Sequence, residues 1–264
     1  MVTKDEKLSA FSDMLDVMDT LRAQCPWDKK QTIESLRILT IEEMYELADA
    51  IIEKDFEGMR EEIGDIMLHL LFYAKICDEQ GHFDIGDSIQ AEIKKLKHRH
   101  PHIYGDVVVH SEKEVKENWE KLKLKEGKQS VLEGVPISLP AMVKAFRIQD
   151  KAKQVGFEWE TEEQVWDKVE EELGEFREAE AKDSPERQQR MEDELGDVLF
   201  ALVNYARFKK IDPETALEKC NKRFIRRFQY IEQQAAVNRL SLNDMTLEDM
   251  DQLWNEAKEK EQGV

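Results

Sequence analysis

Apolar residues recur along most of the chain at intervals of three and four, the spacing of one face of an α-helix. Leu8, Phe11, Leu15, Met18 and Leu21 predict a first amphipathic helix over about residues 5–24. Cys25-Pro26-Trp27-Asp28 ends it. Trp27 is expected as a core anchor, Cys25 as a small buried residue, and Asp28 with Gln31 as the capping box of a short helix. Thr40, with Glu43 closing a second box, is expected to begin a helix over 41–54, followed by one over 56–79 that Gly81 caps. Further helices are expected over 85–98, from Ser111, over 140–155 and from Thr161, then from Ser184-Pro185, over 214–235 and from Thr246. The fold class is all-α.

Within this pattern, acidic residues fall at helical spacing beside the apolar stripes. Val165, Val169, Leu173 and Phe176 mark one helix, and Met191, Leu195, Val198, Leu199 and Leu202 mark the next. A short turn between them makes the two antiparallel neighbours. Glu172 and Glu175 are three apart on the first, and Glu194 and Asp197 are three apart on the second, so each pair shares a face. Four like charges in one cleft raise carboxylate pKa values and call for a cation. All four are hard oxygen ligands, so Mg2+ is expected, with Mn2+ as the alternative, rather than zinc.

The device occurs twice. Glu42-Glu43-Met44-Tyr45-Glu46 and Glu62-Ile63-Gly64-Asp65 repeat Glu171-Glu172-Leu173-Gly174-Glu175 and Glu194-Leu195-Gly196-Asp197. Lys95 and Arg99 correspond to Arg223 and Arg227, and Trp119 corresponds to Trp254. An internal duplication predicts two tandem helical domains, residues 1–126 and 141–264, joined by a turn-rich linker over 127–140. The copies differ: Lys168 and Asn204 stand where the first copy has Leu39 and Phe72, and Ala201 stands where it has His69, expected to be a packing residue. The C-terminal copy is therefore the expected main site. Glu43, Glu46, Glu62, Asp65, Lys95 and Arg99 form a secondary N-terminal copy.

Charge and cysteine usage narrow the classes. The formal net charge of −19 argues against nucleic-acid or membrane-surface partners. Cys25, Cys77 and Cys220 are widely spaced without a CxxC pattern and read as reduced thiols of a cytoplasmic protein. MVTKDEKL has no apolar run after its charges, so no secretory leader is expected. Four of the six histidines lie between His98 and His110, but Pro101 breaks their spacing and basic neighbours repel a cation, so no metal is expected there. A di-iron bundle needs Glu-x-x-His pairs, and neither acidic pair ends in histidine.

These residues resemble the MazG nucleoside triphosphate pyrophosphohydrolases of the all-α NTP pyrophosphatase group. The group's EExxE and ExxD motifs are met twice, with CPWD near the start, HRHPH at His98–His102 and VGFEW at Val155–Trp159. The resemblance covers nearly the whole chain. It implies cleavage of nucleoside triphosphates to monophosphate and pyrophosphate, Mg2+ dependence, broad base tolerance and a homodimer. It implies that Glu172, Glu175, Glu194 and Asp197 hold the metal and that Glu171 supports that shell or orients water. Lys168, Arg223, Arg227 and Trp254 would contact the nucleotide.

Chemistry fits those roles. Arginines four apart suit β and γ phosphates or ion pairs with acidic neighbours, Lys168 suits phosphate or an i, i+4 pair with Glu172, and Glu171 or Glu175 suits activation of water. Asn204 suits a base or sugar, or a polar contact between helices. Arg190 suits phosphate or an i, i+4 pair with Glu194. Trp254 suits base stacking or the core. The alternatives are a non-enzymatic helical interaction module and a narrower, dUTP-like pyrophosphatase.

Overall fold

The computed structural model describes residues 2–111, 114–115, 118–119, 122 and 130–262. Its described residues form helices and no strand, and the chain divides into two compact units, residues 1–119 and 120–264. The first holds α1 (Lys4–Gln24), α2 (Ile33–Glu53), α3 (Phe56–Glu79), α4 (Ile85–Arg99) and the single turn α5 (Pro101–Tyr104). The second holds α6 (Ala141–Gln154), α7 (Glu162–Ala181), α8 (Arg187–Phe208), α9 (Pro213–Val237) and α10 (Leu247–Gln262). Of the expected linker, residues 127–129 lie outside the described residues, and 130–140 form turns. The helix expected from Ser111 is partly outside them, but Ser111 Oγ accepts from the Glu114 N–H, as its start requires.

Many helix starts follow from side chains that satisfy the free N–H groups of the first turn. Thr161 and Gln164 form a reciprocal box at α7, Asp212 accepts from Thr215 N–H at α9, and Thr246 pairs with Asp249 at α10. Gly81 takes φ +74° after α3, where the His82 N–H returns to the Cys77 carbonyl, a left-handed stop that favours glycine.

Three expected starts are wrong. α2 begins at Ile33, because Thr32 and Ser35 make the box and nothing interrupts the helix before Thr40. The Thr40 hydroxyl instead donates back to the Leu36 carbonyl and meets Tyr73 Oη at 2.7 Å. Glu43 therefore has no capping duty. Ser184 does not cap α8, which starts at Arg187, and the Ser184 Oγ is buried without a partner. Asp28 does not cap its 3-10 turn either; Trp27 precedes the turn and is 55% exposed, so it anchors no core. Arg22 secures that loop by donating to the Asp28 and Gln31 carbonyls while pairing with Glu79.

In the first unit α3 packs on α1 and α2, and its core gathers Met18, Leu36, Leu71, Phe72 and Ile76. In the second unit α7 and α8 make the closest pairing, α6 covers α8, and α10 lies on α9. The expected seam of the α7–α8 hairpin is only half right. Val165, Val169 and Val198 are buried, whereas Leu173, Leu195, Leu199 and Leu202 remain exposed. One face of a helix spans too narrow an arc to bury both sets, so α8 keeps a second apolar stripe outside.

Leu36 is wholly buried in the first core. Leu36→Ala should cost roughly 2–5 kcal/mol in denaturant unfolding through lost burial and a residual cavity. A loss under about 1 kcal/mol would contradict this placement.

Candidate active site

Each hairpin places carboxylates in what is otherwise a core stripe. On α7, Val165, Val169, Glu172 and Ala179 form one buried line, so Glu172, 7% exposed, sits within the seam rather than beside it. On α8, Glu194 is half-buried one turn before Val198, and Asp197 is exposed. The antiparallel packing brings Glu172, Glu194 and Asp197 together, with one carboxylate oxygen of each within 4.8 Å of the others. Glu175, exposed on α7, reaches hydrogen-bonding distance of Glu194. Partial burial, and then the charges of Glu175, Asp197 and Glu172, push the Glu194 carboxyl above the ordinary glutamate range.

Among the described residues, Lys168 supplies the one ammonium ion-paired to this group. Its Nζ lies 2.7 Å from Glu172 Oε1 and 2.9 Å from Glu171 Oε1, and those hydrogen bonds raise the ammonium well above its usual range. Glu171 itself is exposed and lies outside the carboxylate trio.

The first unit repeats the arrangement without the lysine. Leu36, Glu43 and Ala50 are spaced by seven on α2, and Glu43 meets Glu62 and Asp65 of α3 within the same 4.8 Å limit. Glu46 is exposed near Glu43 and outside the trio. Partial burial pushes both Glu43 and Glu62 upward, and like charge from Asp65 adds to each. Glu43 and Glu62 are themselves within hydrogen-bonding reach, which raises Glu62, while Glu62 Oε2 is buried with no donor. An orphaned acceptor among hard oxygen donors fits a divalent cation, and the same donor set recurs in the second unit. His69 is buried on α3, as a packing residue should be.

The basic and aromatic candidates form a second group in each unit. The Arg227 guanidinium lies 5.4 Å from the Trp254 ring centre and donates to Glu261 at 2.6 and 2.9 Å, and Phe224 packs on the same indole. Arg99 lies 5.9 Å from the Trp119 ring, so the cation–aromatic pair is duplicated as well. Arg223 is exposed and makes no ion pair among the described residues. Among the described residues no ion pair joins Arg223 or Arg227 to the acidic trio; Arg227 answers Glu261 instead.

Arg190 pairs with Glu186 at 3.7 Å, not with Glu194, because Glu194 turns inward. Lys95 pairs with Glu92. Asn204, half-buried on α8, accepts from Arg207, and Arg207 is clamped to Glu158 of the VGFEW loop. Arg207 and Glu158 were given no role by sequence reasoning, since 49 residues separate them. An open cleft of about 330 Å³ lined by Glu162, Glu163, Trp166, Asp167 and Tyr205 includes none of the candidate residues.

Fold and site together define a duplicated all-α protein with a carboxylate-lined helix hairpin in each half. The MazG nucleotide pyrophosphohydrolase domain matches residues 31–104 and 160–231, which covers both hairpins. The chain is 42% identical to nucleoside triphosphate pyrophosphohydrolase/pyrophosphatase MazG of Thermotoga maritima, over 94% of this chain and 95% of that one. It is 40% identical to nucleoside triphosphate pyrophosphohydrolase of Escherichia coli K12, over 96% of this chain and 99% of that one. The chain belongs to the MazG family.

Glu43, Glu62 and Glu194 have native pKa values raised above the ordinary 4.5, so the cation-free native state binds more protons than the unfolded chain. Their contribution to stability therefore falls as pH rises from 4.5 through the raised native values. In chelator at neutral pH, Glu43→Gln and Glu194→Gln should each melt higher than wild type. Wild type should gain more than either variant from saturating Mg2+. A wild-type melting temperature indifferent to Mg2+, with glutamine variants that melt lower, would contradict the charge-crowding account.

Proposed function

We propose that this protein hydrolyses nucleoside triphosphates between the α and β phosphates, releasing nucleoside monophosphate and pyrophosphate, and that the C-terminal copy is the main catalytic site. The observation that carries the proposal is the crowding of Glu172, Glu194 and Asp197, with Glu175 beside them, on two packed helices. The family and the names of two relatives of matching length support the reaction. Substrate tolerance across bases and dependence on Mg2+, with Mn2+ as a substitute, belong to the same proposal.

Glu172, Glu175, Glu194 and Asp197 would hold the divalent ion. When bound, such an ion neutralises phosphate oxygens and acidifies water. The protein's own groups then position and balance charge, which is most of what phosphoryl chemistry asks of a chain. Lys168 sits beside Glu172 as a movable cation that a divalent ion would displace and a substrate phosphate would accept. Glu171, bonded to Lys168 and outside the trio, is left to orient the attacking water. Arg223 is exposed and makes no ion pair among the described residues, and Arg227, one helical turn further on, is held by Glu261 of α10, so the pair suits the β and γ phosphates of the leaving pyrophosphate. Trp254, met by Arg227 over its ring and by the tilted ring of Phe224, suits stacking of a base on an indole face. Arg190, exposed and paired with Glu186, is a weaker phosphate contact.

The N-terminal copy keeps Glu43, Glu46, Glu62 and Asp65 but has no lysine at Leu39, and Lys95 is tied to Glu92. We read it as a cation site with little turnover of its own. The exposed stripe of Leu195, Leu199 and Leu202 supports a homodimer through α8, since an apolar line of that length is costly to leave in water.

Phosphorus NMR of nucleoside triphosphates with Mg2+ should show monophosphate and pyrophosphate. Glu172→Gln should lower turnover by at least the ~100-fold that follows loss of groups supporting a metal, whereas Glu43→Gln should leave most of it. Diphosphate and orthophosphate as products would overturn the reaction, and loss of turnover in Glu43→Gln alone would overturn the choice of copy.

A further inference from the structure

Asn204 is a polar side chain of α8 that lies outside the acidic cluster. Glu194, Asp197, Ala201 and Asn204 follow one another at intervals of three, four and three, so they share a face of the helix. Asn204 stands seven residues past Asp197, about 10 Å along the axis. That is two turns along α8 from the carboxylate cluster, on the side where the pyrophosphohydrolase reading would set the base. Between them lies Ala201, a small side chain. In the N-terminal copy the same two positions carry His69 and Phe72, and Phe72 is 2% exposed in the core, so that copy has no equivalent polar group.

The amide of Asn204 is held in one orientation. Arg207 Nε and Nη2 both donate to Asn204 Oδ1, at 3.2 and 2.8 Å. Arg207 is itself 8% exposed, and its Nη1 donates to Glu158 Oε2 at 2.9 Å while Nη2 also donates to Glu158 Oε1. Lys153 holds Glu158 from the other side at 3.0 Å. Burial alone would raise the Glu158 carboxyl, but the bonds to Arg207 and Lys153 more than reverse that and keep it ionised. A guanidinium only donates, so the amide oxygen must face Arg207 and the amide NH2 must turn away. Flipping the amide would set donor against donor beside a buried charge. The Asn204 NH2 makes no hydrogen bond among the described residues.

We infer that Arg207 and Glu158 are positioning residues that fix Asn204 as a hydrogen-bond donor, so that the C-terminal site favours bases presenting an oxo oxygen over bases presenting an amino group. The inference rests on the pyrophosphohydrolase reading and adds to it a ranking of substrates. At the position where each pair differs, C4 of the pyrimidines and C6 of the purines, uracil and guanine offer an oxygen, whereas cytosine and adenine offer an amino group that meets the NH2 donor to donor. A free asparagine would swivel and serve both, and the clamp removes that freedom.

Pyrophosphate release from UTP, CTP, GTP and ATP tests this on the full chain as wild type, N204D, R207K and E158Q. Wild type should prefer UTP to CTP and GTP to ATP in kcat/KM by roughly fivefold, the worth of one hydrogen bond. N204D keeps one carboxylate oxygen on Arg207 and turns the other outward as an acceptor, so both preferences should reverse. R207K and E158Q should bring both ratios toward one, and E158Q, which keeps the shape of the clamp, stands in should R207K not fold. A merely structural role would lower all four substrates together and leave the ratios unmoved. Wild type that splits all four without discrimination, or N204D that loses all four by one factor, overturns the inference and leaves the functional reading intact. Wild type that releases pyrophosphate from none of the four overturns the functional reading and the inference with it.

Discussion

Like charge held at a packed helix seam is the constraint on which the rest of this structure depends. A glutamate at a core position is tolerated only when its charge is neutralised by a proton, a neighbouring ammonium or a bound cation. The two copies meet that requirement differently. In the C-terminal copy Lys168 lies on Glu172, leaving Glu194 as the carboxyl with the raised pKa. In the N-terminal copy Leu39 offers nothing, so Glu43 and Glu62 press on one another and one Glu62 oxygen is orphaned. One duplicated backbone thus carries two electrostatic states, and only one of them includes a cation that a divalent ion would displace.

Much of the scaffold exists to hold that seam in place. The capped starts of α7 and α9 fix where each helix begins, which sets the rotation of its stripes. Buried Val165, Val169 and Val198 then hold the hairpin in the register at which Glu172 faces Glu194 and Asp197. Small residues near the acids, such as Gly174 and Gly196, have open space around them rather than a close neighbour, so they leave room beside the carboxylates rather than relieving a clash. The Arg227–Trp254 pair and its Arg99–Trp119 counterpart are built the same way, by a guanidinium over an indole.

What was legible in the sequence is what lies within a few residues of itself. The acidic pairs at spacing three, the caps at Thr161, Asp212 and Thr246, and the glycine stop after α3 are local, and each has a local physical cause. The misplaced start of α2 shows the limit of that rule. Thr40-x-x-Glu43 satisfies the capping pattern, but Thr32 and Ser35 satisfy it earlier, and a helix once begun continues until something stops it. The exposure of Leu195, Leu199 and Leu202 was illegible because a period of three to four identifies stripes without saying which one a partner covers. Arg207 and Glu158 were illegible for another reason: no periodicity links residues on a helix end and a distant loop. The VGFEW motif marked the loop, and only the fold shows what its glutamate grips.

The account comes down to whether the C-terminal hairpin holds a divalent ion among its carboxylates. Anomalous diffraction from crystals grown with Mn2+ measures this directly. The account predicts a peak bounded by Glu172, Glu175, Glu194 and Asp197, with the Lys168 ammonium drawn away from Glu172. Density showing the four carboxylates in their places, Lys168 still on Glu172 and no ion between them would contradict it.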